Sequence, residues 1–236
     1  MDYDRPLNES QSNPKVHLAL ILKPGTHTGS KKFSKSPLIL NPGGPGGSGV
    51  DLVVIYGKQI QTIVGADQDL VSFDPRGIGS TMPRADCFSY PYESPDKRSA
   101  DPTQEDYARG DFHRLLFTLP LEGAGLVNST DGALKDLNSR AKTKAKLCKE
   151  KDSLLGRDSI FKYAQTPSTA RDMLSIVDAW DEWTESSVDG QSAILQPEKG
   201  SKKIGSLADT KGQLVYWGFS YGVSFPQVRP KLANIF

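Results

Sequence analysis

The stretch from Leu38 to Phe73 constrains the fold more than any other part of the chain. A short apolar run, Pro37-Leu38-Ile39-Leu40, opens into a Gly/Pro cluster from Asn41 to Gly49. Val50, Val53, Val54, Gly57, Ile60 and Ile63 then recur at helical spacing up to Val64, and a second apolar run follows from Leu70 to Phe73. Strand, tight loop, helix and strand in that order predict an α/β fold with a mostly parallel sheet, its strands buried on both faces. Val16, Leu18, Leu20 and Leu22 alternate with their neighbours before Pro24-Gly25, which predicts a further strand. Gln213 to Trp217 predicts another.

Between about Arg84 and Lys162 the pattern changes. Proline and acidic residues dominate to Asp106, and polar helical stretches such as Leu134 to Lys151 follow. That is too long for an ordinary connection and predicts a mostly helical excursion from the sheet, residues 84–162. Thr166-Pro167 reads as an N-cap with proline at the first helical position, and Ala170, Met173, Leu174, Val177 and Trp180 give the next helix its apolar stripe. Residues 187–211 form a polar loop without periodicity.

With 36% hydrophobic and 24% charged side chains among 236 residues, the chain can bury one sizeable core, that of a single domain carrying an insertion. A net charge of +1 removes the footprint of a nucleic-acid binder. No apolar run approaches the roughly 18 residues that span a bilayer, and the first residues carry no secretory signal. Cys87 and Cys148 are too few for a zinc site, so no metal is expected, nor a cofactor; the two either pair or stay free. The sequons Asn8-Glu9-Ser10 and Asn128-Ser129-Thr130 permit glycosylation if the parent is secreted.

Gly218-Phe219-Ser220-Tyr221-Gly222 is G-x-S-x-G directly after an expected strand, the context of a nucleophile elbow. The glycines let the chain reverse sharply and leave the Ser220 hydroxyl at the tip. Asn41-Pro42-Gly43-Gly44-Pro45-Gly46-Gly47-Ser48-Gly49 is the second motif. Acyl transfer generates an oxyanion that backbone N–H groups stabilise, and glycines let the backbone approach it. The donors expected are Gly44, with Gly43 as the alternative, and Tyr221, the residue after the nucleophile. A competing reading takes Gly44 to Gly49 as G-x-G-x-x-G with Asp74 as the ribose acid of a dinucleotide-binding oxidoreductase. Pro45 removes an N–H from the loop that would cradle the pyrophosphate, and that reading leaves the serine elbow unexplained.

Four motifs in order, Asn41 to Gly49, Val71 to Gly79, Thr169-Ala170-Arg171-Asp172-Met173 and Tyr216 to Gly222, resemble those of the α/β-hydrolase serine peptidases of the proline iminopeptidase and tripeptidyl aminopeptidase group, in its fungal and actinobacterial forms. The resemblance covers Asp2 to Gly222. It implies that residues 1–222 are the amino-terminal part of an α/β-hydrolase domain, incomplete as written, with 223–236 an atypical tail interrupted by Pro226 and Pro230. It further implies Ser220 as nucleophile, Gly44 and Tyr221 as oxyanion donors, and Asp74-Pro75-Arg76-Gly77 as a structural turn near the site. The reaction implied is hydrolysis of an amide near a free peptide N-terminus through an acyl-enzyme, with a peptide as substrate and secretion of the parent. An esterase or lipase would use the same elbow, and a non-catalytic binding protein could retain it.

In this fold an acid and then a histidine follow the nucleophile. The 16 residues after Ser220 include no His, Asp or Glu, and His17, His27 and His113 all precede it. The chain by itself is therefore expected to be catalytically silent or nearly so. Peptide preference and oligomeric state leave no mark in the sequence.

Overall fold

In a computed structural model of the chain, the residues described are 15–26, 33–34, 36–89, 103–123, 125–186 and 212–225. The expected polar loop 187–211, the tail beyond Phe225 and the sequon at Asn8 lie outside them. Two compact units form, one from Met1–Arg84 with Tyr163–Phe236 and the other from Ala85–Lys162.

The first unit is an α/β sandwich. Its strands are β1 (Leu20–Lys23), β2 (Leu38–Asn41), β3 (Leu70–Phe73) and β4 (Tyr216–Gly218). They lie in the order β1-β3-β2-β4, with β3, β2 and β4 mutually parallel and β1 antiparallel on β3. Two helices sandwich this sheet, α1 (Gly49–Val64) and α4 (Thr166–Ser186). Alternation along the buried strands sends Leu38, Leu40, Leu70 and Val215 to the side of Val53 and Ile60 from α1. Ile39, Val71, Phe73 and Tyr216 go to the opposite side, against Met173, Ile176, Val177 and Trp180 from α4. Each such side chain, fully buried, contributes roughly 1.5–3 kcal/mol.

Some expected registers shift. The strand expected from Val16 forms only from Leu20, and it turns Ile21 inward while Leu20 and Leu22 face out. On α1 the buried line is Gly49, Val53, Gly57 and Ile60, and Val54 and Ile63 are exposed. The glycines explain the rotation. A Cβ on Gly57 would sit 2.8 Å from Lys23 Cδ, and one on Gly49 would overlap the end of β3. The helix therefore lies with its two glycines against the sheet and its larger residues to either side. The strand expected at Gln213–Trp217 is β4 from Tyr216 to Gly218, although Leu214 and Val215 are already buried and Val215 O accepts the Ile39 N–H at 2.9 Å.

A buried ion pair ties α4 to the loop after β3. Arg76 Nε and Nη2 donate to the two carboxylate oxygens of Asp172 at 2.6 and 2.8 Å, with both side chains at 2% exposure or less.

The second unit is helical, built on α2 (Gln104–Glu122) and α3 (Ala133–Leu155). Thr103 and Asp106 cap α2 reciprocally: the Thr103 N–H donates to the Asp106 carboxylate, and Thr103 Oγ1 accepts the Asp106 N–H. The Thr103 N–H, and after it the Thr103 hydroxyl donating to the same carboxylate at 2.8 Å, hold the exposed Asp106 carboxyl below its ordinary range. Cys87 and Cys148 form a disulfide, which settles the alternative the sequence left open. Among its described residues the buried apolar side chains are those of Cys87, Phe88, Ala133 and Ile160. Closing a loop across 61 residues is worth about 4 kcal/mol on the chain-entropy account.

Three outcomes are expected. Arg76→Ala leaves the Asp172 carboxylate buried and uncompensated, and equilibrium denaturation should show a loss of about 3–5 kcal/mol. Replacing both cysteines by serine should unfold the helical unit at lower denaturant than the sheet unit, and oxidised, denatured wild-type protein should titrate no free thiol.

Candidate active site

From β2 the chain crosses to β3 on one side and later returns to β4 on the other. The carboxyl end of β2 is therefore a topological switch point, where loops diverge and leave a crevice. Asn41 ends β2 and pairs with Gly218, the end of β4. The two loops that follow, 42–48 and 219–222, carry both motifs.

Ser220 has φ 53°, the only positive φ of a non-glycine residue among those described. It begins a short 3-10 turn, Ser220–Ser224, and is exposed. The chain is pinned on both sides of it. The Phe219 N–H donates to Asn41 O at 2.9 Å, the Gly222 N–H to Phe219 O at 2.8 Å, and Tyr216 Oη to Gly222 O at 2.8 Å. A Cβ on Gly218 would lie 2.7 Å from the Gly222 carbonyl, and one on Gly222 would lie 3.0 Å from Asn41 Oδ1. Both glycines of G-x-S-x-G are therefore needed for space. Burial pushes the Tyr216 phenol well above its ordinary value of 10.0, so it serves as a neutral donor.

The Gly/Pro loop rests on this elbow. A Cβ on Gly43, which has φ 82°, would come within 2.8 Å of Tyr221 N. The Gly43 N–H donates to Asn41 Oδ1 at 2.8 Å, and its carbonyl accepts the Gly47 N–H at 2.9 Å. That engagement takes the N–H of Gly43, the alternative donor, away from any ligand. Gly44 and Tyr221 are exposed, and among the described residues neither backbone N–H has a hydrogen-bond partner. The Tyr221 side chain reaches the start of α4, where its hydroxyl lies 2.5 Å from Thr166 Oγ1.

Asp74 supports the loop from below. Its Oδ1 accepts Ser48 Oγ at 2.7 Å and the Val50 N–H at 3.1 Å, and its Oδ2 accepts the Ser80 N–H at 2.7 Å. The carboxylate is 1% exposed, beside the amino end of α1, whose dipole favours its charge. A side chain so engaged has no free edge for a ribose, so the dinucleotide reading loses its acid.

Of the histidines, His17 pairs with Met82 in a β-bridge just before β1. That strand is separated from β4 by β3 and β2, so it lies roughly 14 Å across the sheet from the elbow strand. His113 belongs to α2 in the other unit, and His27 lies outside the described residues. The sequence missed Asn41, whose side chain occupies the space between the two motifs; an asparagine before Pro-Gly-Gly reads as an ordinary turn residue.

A serine elbow at the carboxyl end of a parallel strand, backed by a glycine loop from its neighbour, is the arrangement of a nucleophile-elbow α/β fold. Known proteins point the same way. The chain is 39% identical over 109 residues to serine protease Hip1 of Mycobacterium tuberculosis, covering 46% of this chain and 18% of that protein. It is 39% identical over 88 residues to carboxylesterase B of the same organism, covering 37% and 15%. With tripeptidyl aminopeptidase of Streptomyces lividans it shares 30% identity over 135 residues, covering 51% and 24%. The chain thus spans less than a quarter of the length of these relatives, and by that partial homology it is serine-hydrolase-like. No protein-family model matches it.

Gly43→Ala and Gly46→Ala should separate space from backbone strain. Both positions have positive φ, but a Cβ on Gly46 would meet only Ile78 Cδ1 at 3.7 Å. Gly46→Ala should cost about 1–2 kcal/mol by denaturation, and Gly43→Ala clearly more. Tyr216 also sets a pH dependence. Its folded pKa is raised, so its contribution to stability is present below the ordinary phenol value of 10.0 and is lost as pH climbs above it. In Tyr216→Phe this alkaline loss should be diminished.

Proposed function

We propose that the chain carries the nucleophile and oxyanion-binding part of a serine hydrolase site, and that the reaction is peptide hydrolysis releasing residues or short peptides from a free N-terminus. The observation behind this is the exposed Ser220 at φ 53°, set beside two backbone N–H groups, of Gly44 and Tyr221, that have no partner among the described residues. Ser220 Oγ attacks the substrate carbonyl carbon and gives its proton to a base. The carbonyl oxygen gathers negative charge and takes the Gly44 and Tyr221 N–H bonds, each worth about 10²–10³ in rate. Collapse of the tetrahedral intermediate expels the amine and leaves an acyl-enzyme for water to hydrolyse.

The peptide N-terminus as target rests on the motif resemblance and on relatives named as a serine protease and a tripeptidyl aminopeptidase. Carboxylesterase B supports a second reading, an ester as substrate, since elbow and glycine loop serve both acyl donors. The Cys87–Cys148 disulfide favours an oxidising compartment and so supports secretion of the parent. Asn128 lies in an exposed turn, which suits glycosylation there.

His17 lies across the sheet from the elbow strand, and turnover by the chain alone is expected to fall short of a full triad by about 10⁶. A fluorophosphonate should label the wild-type chain slowly at Ser220 and Ser220→Ala not at all, with the adduct located by peptide mass spectrometry. Free-amine peptide anilides, N-acylated anilides and short esters should all turn over near background. Labelling that persists in Ser220→Ala would overturn the assignment of the nucleophile. Rapid, Ser220-dependent turnover would overturn the expected silence, and its ranking of the three substrates would decide between peptidase and esterase.

A further inference from the structure

Asn41 belongs to neither motif's expected chemistry, yet it touches both loops. It is the last residue of β2, 1% exposed. Its backbone carbonyl accepts the Phe219 N–H, one residue before the nucleophile, at 2.9 Å. Its side-chain Oδ1 accepts the Gly43 N–H, one residue before the expected oxyanion donor, at 2.8 Å. Gly222 packs so closely above it that a Cβ there would lie 3.0 Å from both of these oxygens. Its Nδ2, by contrast, is buried without a hydrogen-bond partner among the described residues. A buried amide N–H left unmade costs about 1–3 kcal/mol, and leucine would fill similar space at less expense. The carboxamide is therefore poorly explained as packing alone.

We propose that Asn41 is a positioning residue for the acyl-transfer site, its carboxamide oxygen holding the Gly43 N–H and its carbonyl holding the Phe219 N–H, so that the N–H groups of Gly44 and Tyr221 stay fixed relative to each other and to Ser220. Two oxygens of one residue thus register the two loops that supply the oxyanion site. Holding the Gly43 N–H inward also fixes the flanking peptide plane, and with it the direction in which the next N–H, that of Gly44, can point. Without the side-chain bond, three positive-φ glycines in a four-residue span, Gly43, Gly44 and Gly46, would leave that direction free to wander. A donor misplaced by 1 Å loses much of its value to a transition state. This inference rests on the acyl-transfer reading above.

Amide hydrogen exchange and Ser220 labelling together test it. In the wild-type chain the Gly43 amide should exchange at least about tenfold more slowly than the Gly44 and Tyr221 amides, which have no partner among the described residues. Asn41→Ala should speed exchange at Gly43 by about tenfold relative to Ile39, which shares β2 with Asn41, donates its N–H to Val215 O at 2.9 Å and reports general opening. The same variant should slow phosphonylation of Ser220 by a fluorophosphonate on the order of 10²-fold. Asn41→Asp keeps the acceptor and should restore protection at Gly43 and most of the labelling rate. Equal exchange of Gly43 and Gly44 in the wild-type protein would overturn the proposal without any variant. So would Asn41→Ala if Gly43 and Ile39 opened together, or if Gly43 lost protection while labelling stayed unchanged. If the wild-type chain resists the probe altogether, the acyl-transfer reading fails and the proposal with it. If the chain is labelled and the exchange arm fails, the proposal alone falls.

Discussion

Everything in the sheet unit depends on the pairing of β2 along both of its edges. Its four residues are all buried, its backbone is hydrogen-bonded to β3 on one side and β4 on the other, and its side chains serve both cores. Because the chain leaves β2 toward β3 and comes back to β4, the loops after β2 and β4 emerge side by side. Ser220 and Tyr221 on one loop and Gly44 on the other need no further device to meet. Had β4 added beyond β1 instead, the same two motifs would have been separated by the width of the sheet. The placement of the two motifs side by side is thus a property of strand order.

Charge is used in this unit to hold loops. Asp74, Arg76 and Asp172 are all buried, and each has its partners close by. Asp74 meets three hydrogen-bond donors and the favourable end of α1, while Arg76 and Asp172 form a two-bond ion pair. A buried pair of this kind adds little net stability over a well-packed apolar substitute, yet removing one partner is costly. What it contributes here is geometry. The loop after β3 is tied to α4 by Arg76 and to the Gly/Pro loop by Asp74 through Ser48. Both ties converge on the end of the sheet where Ser220 lies.

The sequence shows the strand, loop, helix and strand of residues 38–73 plainly, because strands buried on both faces leave uninterrupted apolar runs and the helix between them leaves its own period. It shows the serine elbow equally well, since its two glycines are demanded by space that nothing else can spare. What stays hidden is whatever depends on distance in the chain. Arg76 and Asp172 lie 96 residues apart and no local pattern joins them. The rotation of α1 is hidden too, for counting apolar residues favours Val54 and Ile63, whereas close approach at Gly49 and Gly57 decides which side meets the sheet. Asn41 reads as a turn former, and its role appears only once β4 is seen beside β2.

The strain at Ser220 fits the same picture. A serine held at positive φ costs about 1–3 kcal/mol, and nothing about its own side chain repays that. The three hydrogen bonds made by Phe219, Gly222 and Tyr216 are each worth roughly 0.5–1.5 kcal/mol, so together they match or exceed the strain. They also flank Ser220 and leave it free. Relaxing Ser220 would require Phe219 or Gly222 to move, and either motion breaks a bond to Asn41 or Tyr216 inside the core. The strained backbone is therefore a consequence of fixing its neighbours, and the residue left at the exposed tip is Ser220. The fold bears the cost of that conformation through bonds that are themselves part of its core.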